Sequence, residues 1–310
     1  MNYFLYKLNF STAAHFGASD SALGLLASED HFRADTLFSA MCLELARSGR
    51  ELDSFVEMVQ KRGLLLTDSM PYIGERFFLP KPILRVESEQ DVPAERRKLL
   101  KNIKWIPADD FLLTYDQQIH FGSVFTRTQA NIPSNCDTVP YDIGLFGFAR
   151  DCGLYFVAAL SSLEQETMLT TLLKHIGLTG IGGRVSSGFG KFEIDDIIYL
   201  NEPFDAQTEA LLHGLMDSGA QKQMMLTTAL PSDEELEAAL ENASFQISRR
   251  GGFVQSETFH DEPLKKKTQY FLSAGSVVSK MFSGGVYQVG ASGAHPVYRY
   301  SIPIFWGLPL

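Results

Sequence analysis

Cysteine is scarce in this chain, long apolar runs are absent, and there is no surplus of basic charge. The three cysteines, Cys42, Cys136 and Cys152, are odd in number and spaced for neither a zinc site nor a disulfide framework. A reducing, cytoplasmic setting is the simplest expectation. No apolar stretch approaches the roughly 18–20 residues that a membrane span needs, so no membrane partner is expected. The opening Met1–Phe10 alternates in polarity without a basic leader or a small-residue cleavage site, and reads as a strand, not a signal peptide. His15, His31, His120, His175, His213, His260 and His295 form no H-x-x-x-H pair and no His/Cys cluster, so no metal or other cofactor is expected.

The basic deficit is explicit: 27 Lys and Arg against 37 Asp and Glu, a net charge of −10. That excludes a protein that binds nucleic acid by bulk electrostatics alone. The deficit is also local. Between Asn201 and Ser244 nine acids (Glu202, Asp205, Glu209, Asp217, Asp233, Glu234, Glu235, Glu237 and Glu241) face one base, Lys222, which leaves about −2 for the rest. Screening limits each phosphate's reach to roughly 8–10 Å, so a locally basic groove stays compatible with the total. Any grip on a polyanion must come from placed backbone amides and a few side chains.

What is present orders as α+β. A strand at Tyr3–Phe10 precedes a helix at Asp35–Ser48, with Asp35 as N-cap, an apolar stripe of Leu37, Phe38, Met41, Cys42 and Leu45, and Gly49 as stop. A short helix at Leu52–Arg62 and strands at Gly63–Thr67 and Arg76–Ile83 follow, the last an expected edge because of Pro80 and Pro82. Residues 87–152 have weak periodicity and read as an insertion with a protruding hairpin. Within it lie a basic helical stretch (Arg96, Arg97, Lys98, Lys101, Lys104) and strands at Phe111–Tyr115 and Gln118–Phe125. A strand at Leu154–Leu160, a helix opened by the capping box Ser162–Gln165, a glycine-rich loop and a strand at Lys191–Leu200 complete a βαββαβ pattern. The pattern restarts after an acidic linker at 201–221, with a strand at Lys222–Ala229, a helix at Ser232–Asn242 and four further strands to Ile304. The expectation is two ferredoxin-like (RRM-like) domains, 1–200 and 222–310, each with its own core.

The loop, Gly180-Ile181-Gly182-Gly183-Arg184-Val185-Ser186-Ser187-Gly188-Phe189-Gly190, holds five glycines in eleven residues. Such density costs conformational entropy and is expected where backbone passes very close to something else. Consecutive amides there can cradle an anion, and Arg184, Ser186, Ser187 and Lys191 add donors. A P-loop is excluded because Phe189, not Lys, follows the second spaced glycine. A dinucleotide fingerprint is excluded because a helix precedes and a strand follows. A mobile hairpin loop remains open on these residues alone.

In form, G-x-G-G-R-x-S-x-G-F-G before the last strand of such a domain resembles the RAMP superfamily of CRISPR proteins. His15-Phe16-Gly17 and Phe32–Ala40 resemble the opening of the fourth Csm-type subunit of type III-A effector complexes. Arg249-Arg250-Gly251-Gly252, Leu264–Lys267, Tyr270–Ser276 and His295–Ile304 resemble its second domain and final strand. The resemblance implies a non-catalytic subunit that binds the 5′ repeat-derived tag of the CRISPR RNA. Its implied protein partners are the large polymerase-domain subunit and the backbone RAMP subunit. It also implies a thumb-like hairpin within Gln118–Phe148, where Val124, Phe125 and Ile132 would wedge between nucleotides beside Arg127. The implied RNA contacts are His15, Arg33, the loop from Gly180 to Lys191, Arg249, Arg250, Gly251, Lys265, Lys266, Lys267 and Ser276.

Two other readings stay open. Related RAMP endoribonucleases cut repeats with a histidine, for which His15 and His31 are the candidates. Asp30 and Asp35 invite comparison with an RNA-cutting aspartate, but Asp35 has a sufficient task as helix cap. Cys42 belongs to a core face, not to a nucleophile. A small-molecule α+β enzyme using the loop for phosphate is the more distant alternative.

Overall fold

The computed structural model describes residues 1–17, 23–84, 102–109, 118–131, 138–256, 262, 264–290 and 293–309. The basic stretch at 96–101, the strand expected at Phe111–Tyr115 and Ile132 lie outside them.

Strand β1 (Asn2–Phe10) is an interior strand of the main sheet, covered on both faces, as the full burial of the neighbours Leu5 and Tyr6 and of Leu8 shows. It pairs antiparallel with β10 (Cys152–Leu160), every residue of which is buried, and with β11 (Phe192–Tyr199). The ladder then runs through β5 (Met70–Ile73) and β6 (Arg76–Pro80) to β7 (Trp105–Pro107), while β4 (Leu64–Leu66) pairs with the far end of β10. The order β11-β1-β10-β5-β6-β7 means that β6 is not the edge that its prolines suggested. Pro80 ends the strand and faces Trp105 of β7, which covers that side.

Helix α1 (Ala34–Arg47) follows the expected stripe, burying Leu37, Phe38, Met41 and Leu45. Its cap does not. The first helical amide, Ala34 N–H, donates to the Asp68 carboxylate at 2.9 Å, so a distant loop caps the helix and Asp35 sits inside the first turn. Helix α2 (Leu52–Gln60) follows. Helix α3 (Glu164–Thr179) opens with Gln165 Oε1 accepting from the amides of Ser161 and Ser162, and packs on α1 and β11. Between β7 and β10 stand β8 (Gly122–Asn131) and β9 (Val139–Phe148), a regular antiparallel hairpin separate from the main sheet.

The stretch expected as an acidic linker contains a helix. Helix α4 (Ala206–Met216) carries a capping box of Asp205 and Thr208 and packs Leu211 and Leu215 into the core beside β18 (Phe305–Gly307). Its one acid, Glu209, is exposed, and Asp205 and Asp217 stand at its two ends, which concealed it from charge-based reading. In the C-terminal part β12 (Gln223–Met225) lies between β18 and β15 (Val277–Val278). Two ribbons accompany it: β13 (Ile247–Arg250) with β14 (Gln269–Leu272), and β16 (Gly285–Gln288) with β17 (Tyr298–Ser301). Helix α5 (Leu236–Leu240) is shorter than expected, because Glu235 turns aside to accept the amides of Ser283 and Gly284 as well as Ser232.

Separate cores were expected, yet the principal core is shared. Tyr300, Ile302, Ile304, Trp306 and Leu308 join the cluster of β1, β10, α1 and α3, and β17 packs on α1. Buried hydrogen bonds stitch the junction. Tyr300 Oη accepts the Leu66 amide at 2.8 Å, and Thr227 Oγ1 donates to the Leu66 carbonyl at 2.8 Å. Thr228 donates to Asp68, the residue that caps α1. Removing the Tyr300 hydroxyl leaves a buried amide unpaired. Tyr300→Phe is therefore expected to lower the unfolding free energy by about 1–3 kcal/mol in urea titrations. A shared core requires one cooperative transition; two separated transitions in the variant would argue for independent cores.

Candidate nucleic-acid interface

The glycine-rich loop is held down by the chain itself. Gly183 N–H donates to the His15 carbonyl at 2.8 Å, Gly190 N–H to Ala13 O at 2.9 Å, and Ile181 N–H to Gly190 O at 2.9 Å. Gly180, Gly182, Gly188 and Gly190 all have positive φ, and so does Arg184. A Cβ at Gly190 would run into the Ile181 carbonyl, and one at Gly182 would come within 2.6 Å of the His15 carbonyl. The close approach read from the glycines is thus an approach to the β1–β2 connection, where β2 (Phe16–Gly17) begins. Only Gly188 faces open space.

His15 is buried, and its Nδ1 donates to the Gly144 carbonyl of β9 at 2.7 Å. It therefore links the loop to the hairpin and does not offer its ring as an RNA contact. Phe189 is likewise buried, packed with Ile143 and Leu145 of β9. Arg127 of β8 lies over the Phe189 ring at 5.6 Å, and Arg184 lies over Tyr141 of β9 at 5.1 Å. Loop and hairpin base thus form one unit. Val124 and Phe125 remain 54% and 44% exposed on that hairpin. Ser276 is fully buried, its amide and carbonyl used in the C-terminal core, and is corrected as a contact residue.

Beside the loop opens a cleft of about 250 Å³. One wall is α1, through Asp35, Thr36, Ser39, Leu43, Glu44 and Arg47, with Glu29, His31 and Arg33 just before it. The second is the end of α3 and the loop, through Thr179, Gly180, Gly182, Gly183 and Val185. The third comes from the C-terminal part: Arg250, Gly251, Gly252, Phe253, Lys266, Tyr298 and Arg299. Of the sequence-expected contacts, Arg33, Gly180, Gly182, Gly183, Arg250, Gly251 and Lys266 meet here. Arg184, Ser186, Ser187 and Lys191 lie exposed along the loop, Arg249 lies exposed on β13, and Lys265 and Lys267 lie exposed in the segment before β14.

The floor is an ion network. Arg250 grips Asp35 in two-pronged fashion, Nε to Oδ2 at 3.0 Å and Nη2 to Oδ1 at 2.7 Å, and also donates to Thr36 Oγ1. Arg299 stands 3.8 Å from the same carboxylate and donates to the carbonyls of Arg250, Gly251 and Lys267. Arg250 is therefore foremost a structural partner of Asp35. Burial alone would raise the Asp35 pKa; Arg250, then Arg299 and Arg33, outweigh it and hold the carboxyl below its ordinary value. Burial lowers the Lys266 pKa, with Asp35 opposing and the two arginines reinforcing. Five cations (Arg33, Arg47, Arg250, Lys266, Arg299) face three carboxylates (Glu29, Asp35, Glu44), so the cleft is basic in a chain of net charge −10.

Sequence reasoning missed Arg47, Phe253, Tyr298 and Arg299. The available signal was Arg299 itself, an arginine inside an apolar terminal strand that requires a buried counter-charge. Among the described residues that line the cleft there is no cysteine; Cys42 lies on α1 outside that lining. Burial pushes the Cys42 thiol up to about 12, so it stays protonated. His31 Nδ1 is held by Asp30 at 2.8 Å, with Trp105 edge-on to its ring. Among the described residues no group of three or more His, Cys, Asp or Glu comes together to hold a metal ion, and no helix is long and apolar enough to cross a membrane.

A cleft built from both ends and the middle of one chain can be compared along its whole length. A family model, the CRISPR Csm4 C-terminal domain, matches residues 218–308. The chain is 37% identical to the CRISPR system Cms protein Csm4 of Mycobacterium tuberculosis, covering 100% of this chain and 99% of that one. It is 32% identical to the protein of the same description from Streptococcus thermophilus, covering 99% of each. In fold it is similar to a chain in the crystal structure of a Csm3–Csm4 subcomplex of the type III-A CRISPR-Cas interference complex, with TM-score 0.64, 15% identity and 99% of each chain covered. It is also similar to one in a Csm1–Csm4 cassette with cA4, with TM-score 0.62, 18% identity, and 100% and 99% covered. These relatives are proteins of CRISPR systems. The chain belongs to the Csm4 family.

Because the Asp35 carboxyl is held below its unfolded value, its stabilisation is present above about pH 4 and lost as pH falls through the folded value. Asp35→Asn leaves two guanidiniums without their shared counter-charge and is expected to destabilise by about 3–5 kcal/mol at pH 7. Urea unfolding of both proteins from pH 7 to pH 3 checks this: the gap should narrow below pH 4, and a constant gap would deny the ion network its role.

Proposed function

We propose that this chain is a non-catalytic subunit of a type III-A CRISPR effector complex. It holds the 5′ repeat-derived tag of the CRISPR RNA in the cleft and joins the large polymerase-domain subunit to the backbone subunit. The observation that carries this reading is convergence. The Phe32–Ala40 block, the glycine-rich loop, the Arg250–Gly252 turn and Lys266 come from four distant parts of the sequence and line one basic cleft. Cations around a narrow groove neutralise phosphates, while backbone groups fix the strand's register.

Several observations support the finer points. The order β11-β1-β10 followed by β4 and β5, with α1 and α3 as connections, suits one ferredoxin-like unit. A fragmented version of that order recurs in the C-terminal part, where the bridge Ala229–Leu272 links β12's extension to β14 and β14 pairs with β13. A ferredoxin-like unit carries a second helix after its third strand, and among the described residues none stands there. The β8–β9 hairpin, with Val124 and Phe125 exposed, suits a thumb that inserts between nucleotides. Crystal structures of Csm1–Csm4 and Csm3–Csm4 assemblies support two protein partners. The hydrogen-bonded, buried setting of His15 supports a non-catalytic role.

Co-expression with the other complex proteins and a tagged guide tests this. Arg47→Glu combined with Lys266→Gln is expected to lower affinity for tag-bearing RNA about tenfold or more, the scale of lost charge-assisted bonds, and to reduce guide occupancy. Unchanged occupancy would remove the cleft from consideration. Site-specific cleavage of labelled repeat RNA in EDTA, abolished by His15→Ala, would favour the endoribonuclease reading instead.

A further inference from the structure

The cleft opens onto β13 and β14, and the charge pattern there differs sharply from that of the whole chain. Residues 245–272 contain Arg249, Arg250, Lys265, Lys266 and Lys267 against the three acids Glu257, Asp261 and Glu262, an excess of bases in a protein of net charge −10. Two large aromatic side chains are exposed among these cations: Tyr270 at 61% and Phe253 at 53%. Each stands across from a cation. Arg249 faces Tyr270 in the β13–β14 register, and Lys265 is bridged to Phe253, its ammonium 5.7 Å from that ring. Phe253 also lines the cleft, so the two pairs lead outward from it.

We propose that this surface is a stacking track for single-stranded RNA that continues the cleft, with Tyr270 and Phe253 as base platforms. Lys265 and Lys267 hold the phosphates beside them. The inference rests on the cleft being an RNA site. Its chemistry fits RNA better than a protein partner. Protein interface cores favour aromatic residues but are depleted in lysine, whereas alternating cations and π-faces follow a sugar-phosphate backbone whose bases all stack. The preference is for the single-stranded state, because a base inside a duplex has both faces covered by its stacked neighbours.

Fluorescence anisotropy with the purified full-length chain and oligoadenylates of stepwise increasing length tests it. The native chain is expected to bind more tightly as length exceeds what the cleft holds. Tyr270→Ala with Phe253→Ala is expected to lose about 5- to 100-fold in affinity for the longest oligomer, Tyr270→Ala alone, outside the cleft, to leave the shortest unaffected, and both variants to melt at an unchanged temperature because the rings are exposed. Tyr270→Phe should retain tight binding, and 2-aminopurine placed in the longer oligomers should be quenched by the native chain but not by the double variant. If the double variant binds long RNA as the native chain does while Arg47→Glu weakens every length, the track is wrong and the cleft reading stands. If neither variant changes RNA binding, the cleft reading fails and takes the track with it. Normal RNA binding with loss of co-purifying complex proteins would assign the surface to a protein and overturn the proposal.

Discussion

A carboxylate buried in the first turn of α1 requires a counter-charge, and the chain supplies it from its other end. Asp35 is held by Arg250 of β13 and approached by Arg299 of β17, more than 200 residues away. An unpaired charge at that depth costs several kcal/mol, so the pairing draws the C-terminal strands against the helix. Arg299 extends the constraint by binding the carbonyls of Arg250, Gly251 and Lys267. The turn that edges the cleft and the segment before β14 that carries Lys266 are thus placed by the same ions that join the two parts of the chain. Stability and site geometry cannot be varied independently here.

The opposite wall follows a different logic. Glycines at 180, 182 and 190 let the loop lie flat against the β1–β2 connection and close on itself, and the amides so used are satisfied internally. His15 then ties this packed loop to β9, and two cation–aromatic contacts tie it to both strands of the hairpin. A rigid wall holds its outward groups in fixed register, which lowers the ordering cost of binding a flexible strand. The hairpin inherits that orientation, because its base and the loop share one apolar cluster.

Much of this was legible in the sequence because it is written in local patterns. The stripe of α1, the apolar run of β10 and the serine–glutamine signal before α3 each mark an element at its own position. What escaped was decided at a distance. Asp35 looks like a helix cap until Asp68, 33 residues on, takes the amide, and Arg250 looks like an RNA contact until its carboxylate is located. Helix α4 was hidden because the acids in and around it, Asp205, Glu209 and Asp217, mark only its ends and one exposed position, while the helix packs on β18 and buries Leu211 and Leu215. For the site, the blocks were visible as motifs, but their meeting in one cleft is a property of the shared core. The glycines are the clearest case: their density announced a close approach, and only the fold shows that the surface approached is the chain's own backbone.

Ultraviolet cross-linking of the assembled ribonucleoprotein, read by mass spectrometry of RNA-linked peptides, addresses the cleft most directly. Cross-links concentrated in residues 29–47, 179–185 and 249–267 are the expected result. Guide RNA cross-linked efficiently to this chain, but at none of those three segments, would contradict it.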